Sequence, residues 1–323
     1  MKWLARLGLL ALALAALTGI AGWWLLSVSW VEEPELAGSF RAESFERDGR
    51  ERSTWVYRPS RPAEQPALVL VFHGSDGDGL RARTGFGYGF DVLAEEHGFL
   101  VAYPDGFERH WNGCRRAGPY AANLQNVNDV GFAAALIERL AASDGIDRTR
   151  VFATGISNGG QLALRLALES PKRFRAVAPV IASLPAGNNM GCEPAGRPTS
   201  ILMLNGTDDP MNPYGGGKVA LYGRWGDRGD VLSSEDMLDY WRELAGHETE
   251  PKRELLPDLA PDDGSHIERI GWQAPGRASV WLYAVHGGGH TVPHPDQRMP
   301  RLLGATNRDA AAAELIWRFF DAA

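Results

Sequence analysis

Residues Gly155-Ile156-Ser157-Asn158-Gly159 read G-x-S-x-G, with Gly160 directly behind them. An apolar run, Val151-Phe152-Ala153-Thr154, leads in, and a helix-forming stretch from Asn158 to Glu169 leads out. A turn from strand straight into helix has little room for side chains beside its central residue. Glycines at 155 and 159 remove that conflict and leave the Ser157 hydroxyl exposed at the end of the strand. The positive end of the following helix lies near the reacting oxygen. Such a serine is a nucleophile that still needs a base, because a free hydroxyl attacks poorly.

The base is expected late in the chain, where His286-Gly287-Gly288-Gly289-His290 follows an apolar run. With His294, three histidines recur at a spacing of four. On one helix face they would suit a metal. Three consecutive glycines and Pro293 argue against a helix, and no glutamate completes an H-E-x-x-H pattern. No metal or organic cofactor is expected. The glycines suit a tight loop that returns a histidine to the serine, His290 first and His286 second. An acid should stand between nucleophile and base. Leu204-Asn205-Gly206-Thr207-Asp208-Asp209-Pro210 offers Asp208 and Asp209, either of which would orient the imidazole and stabilise its cation. His73-Gly74-Ser75 ends the first buried strand. In an α/β-hydrolase the backbone N–H of Ser75 and that of Asn158 would form the oxyanion hole, each worth roughly 3 kcal/mol. His73 is read as structural. Asp76-Gly77-Asp78-Gly79 lacks the remaining positions of a calcium loop and is read as a flexible loop.

The elements that must position these residues follow from pattern. Ser39–Phe45 and Arg52–Tyr57 read as strands around a turn at 46–49. Ala67–Phe72, Phe99–Tyr103, Val151–Thr154, Phe174–Ala182 and Ser200–Leu204 are apolar runs suited to strands buried on both faces. Ile267–Trp272 and Ala278–Val285 read as a further pair. Helices are expected at 90–97, at 130–142 with Asp129 as its N-cap, at 158–169, at 233–244 and at 307–320. Residues 107–128 and the Pro- and Asp-rich 251–264 read as loops. Strands alternating with helices predict a mainly parallel sheet covered on both faces.

The 323 residues are 44% hydrophobic and 23% charged, with a net charge of −7. That composition excludes disordered and fibrous classes and disfavours nucleic-acid binding. Lys2 and Arg6 precede an apolar stretch from Leu7 to Trp30, and Glu32, Glu33 and Glu35 follow it. This reads as a secretory signal or an uncleaved anchor, with residues 36–323 as one extracytoplasmic α/β domain. Membrane contact is expected only through that segment, and no obligate protein partner is evident. Cys114 and Cys192 form a disulfide or remain two buried thiols.

Taken together, the motifs resemble the secreted poly(3-hydroxybutyrate) depolymerase and feruloyl esterase group of α/β-hydrolases. The matching pieces are His73-Gly74, Trp111-Asn112, Asn128-Asp129-Val130-Gly131-Phe132, the glycine-flanked Ser157, Gly206-Thr207-Asp208-Asp209-Pro210 with Pro213-Tyr214, and Gly287-Gly288-Gly289-His290-Thr291. The resemblance implies Ser157 as nucleophile, Asp209 as acid and His290 as base, acting on small or oligomeric carboxylic esters. Trp111 and Tyr214 are read either as pocket walls or as ordinary surface or core aromatic packing. This chain has Asn205 where the group usually has histidine, and Val292-Pro293 where it usually has Trp-Pro. Rival expectations are an acetylxylan esterase, a peptidase on the same scaffold, or a non-catalytic envelope module.

Overall fold

The computed structural model describes residues 2–323. A helix, α1 (Lys2–Leu26), opens the chain. Strands β1 (Ser39–Arg47) and β2 (Arg50–Arg58) pair antiparallel up to Arg47 and Arg50. The connecting Asp48-Gly49 has φ of 52° and 71°, the left-handed pair that a two-residue hairpin turn requires. Strand β3 (Leu68–Phe72) is buried along its whole length. It is followed by α2 (Gly79–Gly85), α3 (Gly89–His97), β4 (Leu100–Pro104), α4 (Ala121–Leu124) and α5 (Asp129–Asp144). Then come β5 (Val151–Ile156), α6 (Asn158–Glu169), β6 (Ala176–Val180) and β7 (Ser200–Gly206). A small ribbon of β8 (Gly217–Lys218) and β9 (Asp230–Val231) precedes α7 (Ser234–Ala245). The chain finishes with β10 (Lys252–Leu255), β11 (His266–Trp272), β12 (Val280–His286) and α8 (Ala312–Asp321).

Ten strands form one sheet in the order β1-β2-β4-β3-β5-β6-β7-β12-β11-β10. The middle six, β4 to β12, run parallel, and antiparallel strands flank them on both sides. Alternation along β3 sorts the core into two layers. Leu68, Leu70 and Phe72 pack with α5, α6 and α7, whereas Val69 and Val71 pack with α3 and α8. The sheet is mainly parallel and covered on both faces, as the alternating apolar runs predict, and it is the α/β-hydrolase fold that the resemblance implies.

Four local expectations are corrected. Asn128, not Asp129, caps α5, its Oδ1 accepting the Gly131 N–H at 2.8 Å. The Asp129 carboxylate is instead drawn inward, where it pairs with buried Arg52 at 2.7 Å and accepts the Asn112 N–H at 2.7 Å. The 76–79 loop is partly helical, because Asp78 Oδ1 accepts the Arg81 N–H and caps α2. Residues 252–255 form an edge strand, silent in the sequence because all four are exposed. Helix α8 starts at Ala312 rather than residue 307, since Asn307 and Asp309 are held by the loop before β11.

Among the described residues, no helix is long and apolar enough to cross a membrane. The chain meets the domain before residue 36. The Arg301 guanidinium lies over the Trp24 ring at 4.7 Å, Ser29 pairs with Arg298, and Glu33 reaches buried Arg83 at 2.5 Å. Cys114 and Cys192 form a disulfide, tying the loop before α4 to the segment before β7.

Candidate active site

Ser157 sits between β5 and α6 with φ of 54° and ψ of −107°. A non-glycine residue there is strained, and the strain survives only where the surroundings fix it. They do so through contact with glycine. A Cβ on Gly155 would stand 2.5 Å from the Gly159 carbonyl carbon, and one on Gly159 would strike the Phe72 carbonyl. The turn is therefore wedged against the end of β3.

Ser157 Oγ lies 3.0 Å from His290 Nε2, and His290 Nδ1 lies 2.7 Å from Asp209 Oδ2. A carboxylate at Nδ1 holds the ring proton there and leaves Nε2 to accept the serine proton. His290 and Asp209 are both buried. The glycine run lets the His290 loop pass close to its neighbours. Side chains at Gly206 or Gly289 would strike the carbonyls of Gly288 or Leu303, and the Gly289 and His290 N–H groups donate to Ala305 and Leu303.

The two aspartates separate clearly. Asp208 is exposed, and its carboxylate accepts only from Thr207. Asp209 spends Oδ1 on the N–H groups of Met211 and Asn212, at 2.7 and 2.8 Å, and turns Oδ2 to His290. The three histidines also part. His286 pairs with Glu268 at 3.2 Å, and His294 Nδ1 accepts the N–H groups of Asp296 and Gln297. Asn205 links β7 to its neighbours, accepting from Ala182 and donating to Ser234.

Ser75 follows Gly74, whose α-carbon region packs against Ser157. The Ser75 N–H donates to no protein acceptor among the described residues. Asn158 opens α6, where the first N–H groups have no intrahelical acceptor. His73 is structural. Its Nδ1 donates to the Gly74 carbonyl at 2.7 Å, and its Nε2 accepts the Gly106 N–H at 2.9 Å. Burial pushes its pKa down to about 4, so the ring is neutral.

Trp111 and Tyr214 are not pocket walls. Trp111 is fully buried behind the turn that carries Ser157, with Nε1 donating to the His73 carbonyl at 3.0 Å. Its backbone N–H and carbonyl grip the Asn158 side chain at 2.7 and 3.1 Å. An indole that satisfies its donor and packs against Phe72 and His73 has no face left for a ligand. Tyr214 packs at the margin of the core beside α7. The recess at Ser157 and His290 is lined instead by Ser75, Arg115, Tyr120, Gln161, Ile181, Met211, Asn212, Val219 and Arg228. Its cavity volume is about 10 Å³. None of its polar walls apart from Ser75 stands in a sequence motif. Only the position of Arg115 beside Cys114 hinted at a fixed place.

The Esterase family model, described as "Putative esterase", matches residues 46–188. The chain is 31% identical over 265 residues to "Putative esterase NocK" of Nocardia uniformis, covering 79% of this chain and 74% of that one. It is 30% identical over 165 residues to "Feruloyl esterase C" of Emericella nidulans, covering 50% of this chain and 54% of that protein, about half its length. Among solved structures, an acetyl xylan esterase from Aspergillus awamori superposes with a TM-score of 0.55 at 16% identity. That match covers 88% of this chain and all of the other, and it shows a shared fold.

Proposed function

Because the chain belongs to the esterase family, whose chemistry is the hydrolysis of carboxylic esters, we propose that it cleaves them through Ser157, His290 and Asp209. The observation that carries this reading is the line of contacts from Ser157 Oγ to His290 Nε2, 3.0 Å, and from His290 Nδ1 to Asp209, 2.7 Å. Ser157 attacks the ester carbonyl while His290 takes its proton. The N–H groups of Ser75 and Asn158 hold the oxyanion. His290 returns the proton to the departing alcohol, leaving an acyl-enzyme. Water enters through the same base and releases the acid.

The acyl group we propose is small. A recess of about 10 Å³ falls far below the roughly 300–1,000 Å³ of pockets that enclose drug-sized ligands. Acetyl and short hydroxyacyl groups suit it better than a feruloyl ring. The feruloyl reading stays open as a second one through the relative named for that activity. We also propose that the domain works outside the cytoplasm, since a disulfide between Cys114 and Cys192 persists in oxidising compartments.

Initial rates on 4-nitrophenyl acetate, a soluble 3-hydroxybutyrate oligomer and methyl ferulate test the reading, with Ser157→Ala as the blank. Hydrolysis of the first two well above the third is expected. Methyl ferulate as the fastest substrate would reverse the size argument, and activity surviving in Ser157→Ala would end the assignment of the nucleophile.

A further inference from the structure

The recess beside Ser157 holds more positive charge than the protein neutralises. Arg115 is only 5% exposed, and the ionisable groups that act on it are Tyr120 and Arg228, a phenol and a second cation. Arg228 donates from Nε to Tyr120 Oη at 2.6 Å and from Nη1 to the Gly226 carbonyl at 2.7 Å. Among the described residues neither arginine forms an ion pair. Asp227, the acid next to Arg228 in the chain, is engaged by Lys218 at 3.0 Å. Tyr120 Oη already accepts from Arg228 and from Ser75 Oγ, the latter at 3.1 Å. Its own proton is therefore available to a further acceptor.

A buried cation without a counter-charge is costly, and a second cation beside it adds to that cost. An anion entering the recess would relieve both. The site is also held in shape for one. The Cys114–Cys192 disulfide and the backbone bridge from Arg115 to Met190 fix the segment that carries Arg115. Guanidinium groups offer the paired donors that fit a carboxylate.

Resting on the reading of Ser157 as nucleophile, we propose that the preferred substrate is an ester bearing a carboxylate a few atoms from the scissile carbonyl. That carboxylate is bound by Arg115, Arg228 and Tyr120. The same recess is lined by Ser157 and His290, so the anion and the reacting carbonyl share one small space. The three donors act on binding and on the placement of the carbonyl, and the chemistry stays with the serine.

Two matched pairs of substrates test this with the full chain. Monomethyl succinate against methyl succinamate places the charge on the acyl side. Acetoxyacetate against acetoxyacetamide places it on the alcohol side. In at least one pair the anion is expected to be favoured in kcat/KM by roughly 10-fold or more, the size of a charge-assisted contact. The favoured pair identifies the side on which the carboxylate lies. In Arg228→Gln, and in Arg115→Gln, the preference should fall to within about 3-fold of unity. The ratio is read within one protein, so partial loss of folded material leaves it unchanged. No anionic preference in either pair, or a preference that survives both substitutions, overturns the proposal. If the neutral esters are still cleaved through Ser157, the esterase reading stands alone. If no ester is cleaved, both readings fall.

Discussion

Asp209 divides its carboxylate between His290 and its own loop. Oδ2 lies 2.7 Å from His290 Nδ1, while Oδ1 accepts the N–H groups of Met211 and Asn212. The loop bonds prevent the side chain from turning away, so the imidazole meets a fixed partner. Asp208, one residue earlier, is exposed, and its carboxylate accepts only from Thr207.

The two aspartates should therefore differ sharply on substitution. Asp209→Asn presents an amide to His290 Nδ1, favours the wrong tautomer, and should lower kcat by about 10⁴-fold. Asp208→Asn should keep turnover within about 2-fold, as expected for an exposed carboxylate outside the relay. Steady-state kinetics on one neutral ester measure both. Equal losses in the two variants would mean that the relay runs through neither residue alone.

The glycines around Ser157 lead to a structural prediction. Gly159→Ala places a methyl group against the Phe72 carbonyl at the end of β3, where backbone cannot yield cheaply. The variant should lose several kcal/mol of stability, as overpacked sites do, or displace Ser157 and lose most activity while still folded. Denaturant melts together with kinetics distinguish the two. A variant of wild-type stability and turnover would mean that the turn is looser than its contacts imply.

The glycine-flanked serine, the glycine run before His290 and the apolar strand runs were legible because each is a local demand written in residue type. Helix α6 could be read residue for residue for the same reason. The cap of α5 was misplaced because Asp129 answers a distant buried cation, Arg52, which no local pattern reveals. Strand β10 was silent because it lies at an edge with every side chain exposed. The recess was the least legible part. Arg115, Tyr120 and Arg228 are far apart in the chain and carry no spacing rule. Trp111, conspicuous as a motif residue, proved to be the support behind the site.

His73 makes acid stability testable. Its pKa is pushed down to about 4 by burial, against 6.5 for the free side chain. The folded state therefore binds fewer protons than the unfolded chain between those values. Its contribution is complete above pH 6.5 and is lost as pH falls toward 4. The loss is on the order of 3 kcal/mol. Unfolding free energies from pH 7 to pH 4 should show this slope, and His73→Gln should flatten it. An identical slope in the variant would assign the acid sensitivity to other groups.

The disulfide closes a sequence separation of 78 residues, long enough for the chain-entropy effect to be substantial. The double change Cys114→Ser with Cys192→Ser should cost about 2–4 kcal/mol. Reduction of the wild type should lower the melting temperature in the same way. Because the bridge adjoins Arg115, any preference for anionic esters should weaken more than the rate on neutral ones. A melt unaffected by reductant would show that the bridge is dispensable to stability.

Trp111 supplies the last test, since a pocket wall and a buried support respond differently. Trp111→Phe keeps most of the packing against Phe72 and His73 but removes the donor that the His73 carbonyl accepts from at 3.0 Å. A buried acceptor left unpaired costs about 1–3 kcal/mol, and that loss should appear in stability. Relative rates across acetyl, hydroxybutyryl and feruloyl esters should keep their order, because the indole is sealed from the recess. A reordering of substrates with unchanged stability would return Trp111 to the pocket. The expected result, lower stability with the same order, fits a residue that braces both the loop at His73 and the Asn158 side chain behind Ser157.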